Sequence, residues 1–128
     1  MELRAEAKLL RIFLGEADKV KHTALYDAIV REAKRLGLAG ATVWRGITGF
    51  GSTSRIRTAR ILDLSTDLPI VVEIADEEER IDQFLPVLYD LFELAQSGGL
   101  MTIENVKVIK YLRGKDKKQC NKPDARDG

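Results

Sequence analysis

The chain has 128 residues, 45% hydrophobic and 32% charged, which suits one globular domain whose core needs no covalent staple. Twenty-one Lys and Arg against twenty Asp and Glu leave a net charge of +1, so no overall field draws nucleic acid, and such a role would need a local patch. One cysteine (Cys120) excludes an internal disulfide, and the single histidine (His22) leaves too few ligands for a metal cage.

The start, Met1 to Lys8, lacks the apolar core of a secretion signal, and runs such as Leu68 to Val72 are far too short to cross a bilayer. A cytoplasmic protein without membrane insertion is the expectation. The first strand is expected over Lys8–Leu14, with Leu10, Ile12 and Leu14 on one face and Leu9 and Phe13 on the other. A helix from about Thr23 to Leu36 repeats Leu25, Ile29, Ala33 and Leu36 at helical spacing, and Gly37 stops it. His22 and Asp18 stand near its start with no nucleophile beside them, which favours an exposed histidine over acid–base chemistry.

Ala41–Ile47, rich in Thr, Val and Trp, reads as the next strand, and Ile56–Leu64 as its antiparallel partner across a glycine loop. That loop holds Gly49, Phe50, Gly51, Ser52, Thr53 and Ser54 and runs into Arg55, Arg57 and Arg60. Exposed amides, small hydroxyls and arginines suit an anion such as phosphate; a solvated basic strand that discourages edge-to-edge aggregation is the plainer alternative. Trp44 has two readings as well, stacking on a base or filling a subunit interface.

Pro69 opens Ile70–Ile74, the most strand-prone run, and Glu73 within it needs an arginine partner to sit among apolar neighbours. Asp76 is placed to cap a second helix whose stripe is Ile81, Phe84, Leu85, Leu88, Leu91, Phe92 and Ala95, with Pro86 expected to kink it. Ser97-Gly98-Gly99 ends that helix, and Met101–Tyr111 is the last strand. Residues 1–113 thus form one domain, and 114–128, with no packing residues, a disordered polar tail.

The order gives two interleaved βαβ halves: an α+β, ferredoxin-like βαββαβ sandwich with an extra β-ribbon and both helices on one face of an antiparallel sheet. The other face then needs a cover, most simply a further copy of the chain, and a cyclic trimer fits.

The run from Gly40 through Gly49-Phe50-Gly51 resembles the second strand of the PII signal-transduction proteins, and Leu68–Asp76 resembles the strand that returns from their long loop. A widespread, uncharacterised family of small PII-like proteins is the nearest resemblance. It shares Gly15-Glu16, Leu25-Tyr26 and Gly40-Ala41-Thr42-Val43 ahead of Gly49-Phe50-Gly51, and the likeness covers roughly Leu9 to Tyr111.

The resemblance implies a PII-like homotrimer that binds a small effector, often an adenine nucleotide (ATP, ADP or AMP), in clefts between subunits. It also implies a loop that contacts a target enzyme or transporter. Carried over by position, Gly49, Phe50 and Gly51 line the cleft and Ser52, Thr53, Ser54, Arg55 and Arg57 belong to the mobile loop. The chain departs from PII in having Thr53 where a glutamine stands, a shorter loop without the modified tyrosine, and Ser97–Thr102 without the Gly-Asp-Gly-Lys segment.

The leading expectation is therefore a non-enzymatic sensor of a small anionic metabolite with a protein partner and no nucleic acid. The alternatives are a metal- or stress-tolerance trimer of the same fold, or an enzyme whose acid, base or nucleophile cannot be assembled from the sequence.

Overall fold

The computed structural model describes residues 6–53, 55–59 and 67–114. Its frame is a four-stranded antiparallel sheet in the order β4–β7–β1–β8, made of β1 (Glu6–Gly15), β4 (Thr42–Arg45), β7 (Pro69–Asp76) and β8 (Leu100–Lys107). Two short ribbons attach to it: β2 (Lys19–Val20) with β3 (Thr23–Ala24), and β5 (Thr48–Gly49) with β6 (Arg57–Thr58). Helix α1 (Leu25–Arg35) crosses between β3 and β4, and α2 (Glu78–Ala95) between β7 and β8. This is the ferredoxin-like order expected from the sequence.

Residues opposite one another in antiparallel strands share a face. The pairs Leu10↔Ile74, Ile12↔Val72 and Leu14↔Ile70 put six apolar side chains under the helices. From above, α1 adds Leu25, Ile29 and Ala33, and α2 adds Ile81, Phe84, Leu88 and Phe92, all buried in one core. The stripes are those that periodicity marks out, except that Leu36, the C-cap of α1, is exposed.

Both helices end alike. After α1, Gly37 (φ 82) lets its own amide reach the Lys34 carbonyl and the Leu38 amide the Ala33 carbonyl. After α2 the left-handed position belongs to Gln96 (φ 53), not to a glycine, while the Ser97 amide bonds the Phe92 carbonyl. Pro86 lies on the exposed side of α2, and the helix continues through it to Ala95.

Several boundaries differ from expectation. The paired part of the ribbon is Thr48–Gly49 with Arg57–Thr58, beyond the end of β4, because Gly46 still bonds the β7 edge through its amide to the Pro69 carbonyl (2.7 Å). Residues 60–64 of the expected partner strand lie outside the described residues, as does the expected tail from residue 115. Strand β8 stops at Lys107, and residues 108–114 have no regular structure.

Asp76 is not the α2 cap; Glu77 holds that position without a side-chain bond to the helix. Asp76 is the last residue of β7 and fully buried, with Oδ1 accepting from the Glu77 amide (2.7 Å) and Oδ2 from the Ala39 amide (2.9 Å). It staples the α1–β4 connection to the start of α2.

The sheet face away from the helices carries Leu9, Arg11, Phe13, Val71, Glu73, Ala75, Thr42 and Trp44. At its centre Arg11 Nε donates to Glu73 Oε2 (2.8 Å) and Arg11 Nη1 to Glu104 Oε1 (2.5 Å). Trp44 Nε1 donates to Glu73 Oε1 (3.1 Å). Arg11 is thus the partner that Glu73 requires, and register supplies it: the two residues face each other across β1 and β7. The Arg11 hydrogen bond, then that from Trp44, holds the Glu73 carboxyl below its ordinary value against the opposing effect of burial.

Replacing Asp76 with Ala leaves the Ala39 and Glu77 amides without their acceptor and is expected to cost about 2–4 kcal/mol, measured by denaturant unfolding at fixed protein concentration. Trp44, the single tryptophan, reports on Glu73 directly. Because the folded-state value of Glu73 is lowered, its contribution to stability is present above the ordinary glutamate range and lost as pH falls through the lowered value. Trp44 emission should change with a midpoint below that ordinary range, and Glu73→Gln should remove the transition; a midpoint at the ordinary value would contradict the network.

Candidate functional site

The site is built at the end of β1 where Gly15 turns the chain. The Gly15 amide donates to Asp18 Oδ2 (3.0 Å), and the Asp18 carbonyl accepts from the Leu25 amide at the start of α1 (2.7 Å). Glu16 clamps this turn to the entry of β7: its amide bonds the Leu68 carbonyl (2.9 Å), and Oε1 accepts from the Leu68 amide (3.3 Å). Its Oε2 accepts from Arg45 Nη2 (2.5 Å). Ala17 adds a bond from its amide to Asp67 Oδ1 (3.0 Å).

The β5–β6 ribbon stands over this turn. Gly49 packs so close to the Pro69 ring that a side chain there would press into it. Arg57, on β6, folds back with Nε 3.1 Å from Asp67 Oδ2, its side chain only 16% exposed. The alignment is too poor for a hydrogen bond, so the pair is a charge contact. The guanidinium lies against the Cα of Gly15, where any Cβ would collide with it. A side chain at position 15 would therefore displace the Arg57 guanidinium from this place.

The third wall comes from the α2–β8 connection. The left-handed Gln96 sends Ser97, Gly98 and Gly99 back toward β1, where Ser52 presses on Gly98 and Phe92 on Gly99. Together the turn, the ribbon and this connection enclose a cavity of about 490 Å³. Its described wall carries one cation, Arg57, and one carboxylate, Asp18, which is already bonded to the Gly15 amide.

Of the residues singled out in the sequence, Gly49, Phe50, Gly51, Ser52, Thr53 and Arg57 line this one cavity. Arg55 is exposed and outside its wall, and its amide donates to Thr53 Oγ1 (3.4 Å) within the loop. Ser54 and Arg60 lie outside the described residues. Arg45 is drawn off to Glu16. His22 is exposed in the two-residue turn between β2 and β3.

Sequence reasoning missed Phe13, Pro69 and Gly98–Gly99 as wall residues, although Ser97-Gly98-Gly99 was visible as the glycine-containing end of the second helix. A larger hollow of about 780 Å³ opens at the other end of β1, where Glu6, Glu77, Glu78, Glu79 and Asp82 outnumber Lys8 and Lys107, a setting less suited to an anion. Among the described residues, no group of three or more His, Cys, Asp or Glu side chains is placed to hold a metal ion, and no helix is long and apolar enough to span a membrane.

Two relatives align over 105 residues, 82% of this chain and 94% of their own length. A UPF0166 protein of Aquifex aeolicus is 44% identical, and a UPF0166 protein of Methanocaldococcus jannaschii is 39% identical. Among solved structures the fold is similar to that of CPII, a nitrogen regulatory PII-like protein from Thiomonas intermedia K12, in a structure bound to ADP, AMP and bicarbonate. The TM-score is 0.63 at 22% identity, over 82% of this chain and 90% of that one. The fold is PII-like. Residues 7–108 match the family described as "Uncharacterized ACR" (DUF190), and the chain belongs to that family.

Proposed function

We propose that the chain is a non-enzymatic PII-like regulator that binds a small anionic effector, an adenine nucleotide such as ADP, in the ribbon cavity. The observation that carries this reading is that one cavity joins the Gly49–Thr53 backbone and hydroxyls, the Arg57 guanidinium and the Gly98–Gly99 backbone. Glycines admit a ligand close to main-chain amides, and a guanidinium matches phosphate or carboxylate oxygens. The ADP, AMP and bicarbonate bound by CPII support the same ligand chemistry here.

The two arginines of the loop divide the work. Arg57 meets the anion, while Arg55, outside the wall, belongs to the partner-contacting part of the loop. Three large apolar side chains on the same ribbon, Ile47, Phe50 and Ile56, are 76%, 71% and 69% exposed, a surface suited to a protein target. The sheet face around Trp44, itself 57% exposed, is the surface through which the chain forms its homotrimer, and the cavity borders it through Phe13 and Leu100. The regulator acts in the cytoplasm.

A thermal-shift screen with ATP, ADP, AMP and bicarbonate tests the reading, with oligomer mass followed alongside. A ligand at 100 times its dissociation constant adds about 2.7 kcal/mol of stability. Replacing Arg55 and Arg57 together with Ala is expected to abolish the shift and leave the oligomer intact, and among the single variants the loss should follow Arg57. No shift with any of the four from an intact oligomer would refute the proposed effector class.

A further inference from the structure

Arg57 is not an idle cation. It is held by Asp67 Oδ2 at 3.1 Å, and the two side chains are 16% and 25% exposed, so water screens the pair only in part. The two partners are anchored unequally. Asp67 is fixed by the Ala17 amide on Oδ1 and by the paired backbone of Leu68 next to it. Arg57 sits on β6, a strand with two paired residues. Asp67 also stands behind Arg57, outside the cavity wall, so it contributes no surface to a ligand.

Resting on the reading of this cavity as an anion site, we propose that Asp67 is a built-in competitor for the anion at Arg57 and sets the affinity of the site. The carboxylate engages the guanidinium that an anion oxygen needs, with its nearest approach at Nε and no hydrogen bond made there. A guanidinium has five N–H donors, so a well-aligned phosphate or carboxylate makes better bonds than Asp67 does. The exchange is one anion for another at a single cation, and the observed affinity is the difference between the two. Because Asp67 is held to the Ala17 amide and Arg57 rides on a ribbon of only two residue pairs, the exchange shifts the Arg57 side chain away from Asp67 and bears on the position of β6. Occupancy is thereby coupled to the position of the ribbon that presents Ile47, Phe50 and Ile56.

Asp67→Asn separates this role from a structural one, since the amide oxygen still accepts from Ala17 while the charge is gone. Calorimetric titration with ADP should show D67N binding about fivefold tighter than the unaltered protein, the scale of one partly exposed ion pair. In an Arg57→Gln background, titrated to ADP concentrations high enough to measure the residual weak binding, the same substitution should give no gain; a gain that persists there would come from the general field and would overturn competition. Asp67→Ser, which keeps a short acceptor without charge, should move affinity in the same direction and serves if D67N is poorly folded. Unchanged or weaker ADP binding in both Asp67 variants would sink the competitor role and leave the site reading intact. Absence of ADP binding in the unaltered protein and in both variants would overturn the two together.

Discussion

The structure depends on β1 being paired along both edges while only one of its faces is covered by helices. Pairing with β7 and β8 places Leu10, Ile12 and Leu14 beneath α1 and α2 and fixes the register of the whole sheet. The same register delivers Gly15 to the point where the chain turns, and so locates the cavity. It also sets Arg11 opposite Glu73 on the uncovered face. The core, the ribbon site and the ionic centre of the bare face are thus three consequences of one pairing.

Where burial acts on a repeating stripe, the sequence is enough. Leu25, Ile29 and Ala33 reveal α1, and Ile81, Phe84, Leu88 and Phe92 reveal α2, because a helix with one dry side must repeat its apolar residues. The alternation through Ile70, Val72 and Ile74 identifies β7 for the same reason. Arg11 as the partner of Glu73 was beyond local reading: register between distant strands decides it. Asp76 illustrates a different limit. Position and residue type suggest a helix cap, yet the side chain turns to the Ala39 amide, a group brought near only by the packing of the α1–β4 connection.

The candidate site was legible in part and for a definable reason. Gly49 to Thr53 stand out as a glycine-rich loop, and local composition is enough to find them. Its other walls come from Phe13, Pro69 and the α2–β8 connection, which are adjacent only in space. Arg55 and Arg57 look equivalent in sequence and would share a face of a regular strand, but β6 begins only at Arg57, Arg55 precedes it in the loop, and only Arg57 folds back over Gly15. The return of Gly98 and Gly99 to the cavity depends on Gln96 in a left-handed conformation that composition gives little cause to expect.

The ionic centre of the uncovered face bears on how the protein is made. The helix–sheet core closes within a single chain, and the middle of the remaining face is not grease but a guanidinium bonded to two carboxylates, one of them also holding an indole. The core therefore does not depend on a cover for that face to be complete. In the proposed trimer, association would follow as a separate, concentration-dependent step, and the charges at the centre of that face would reward only a copy that docks in register.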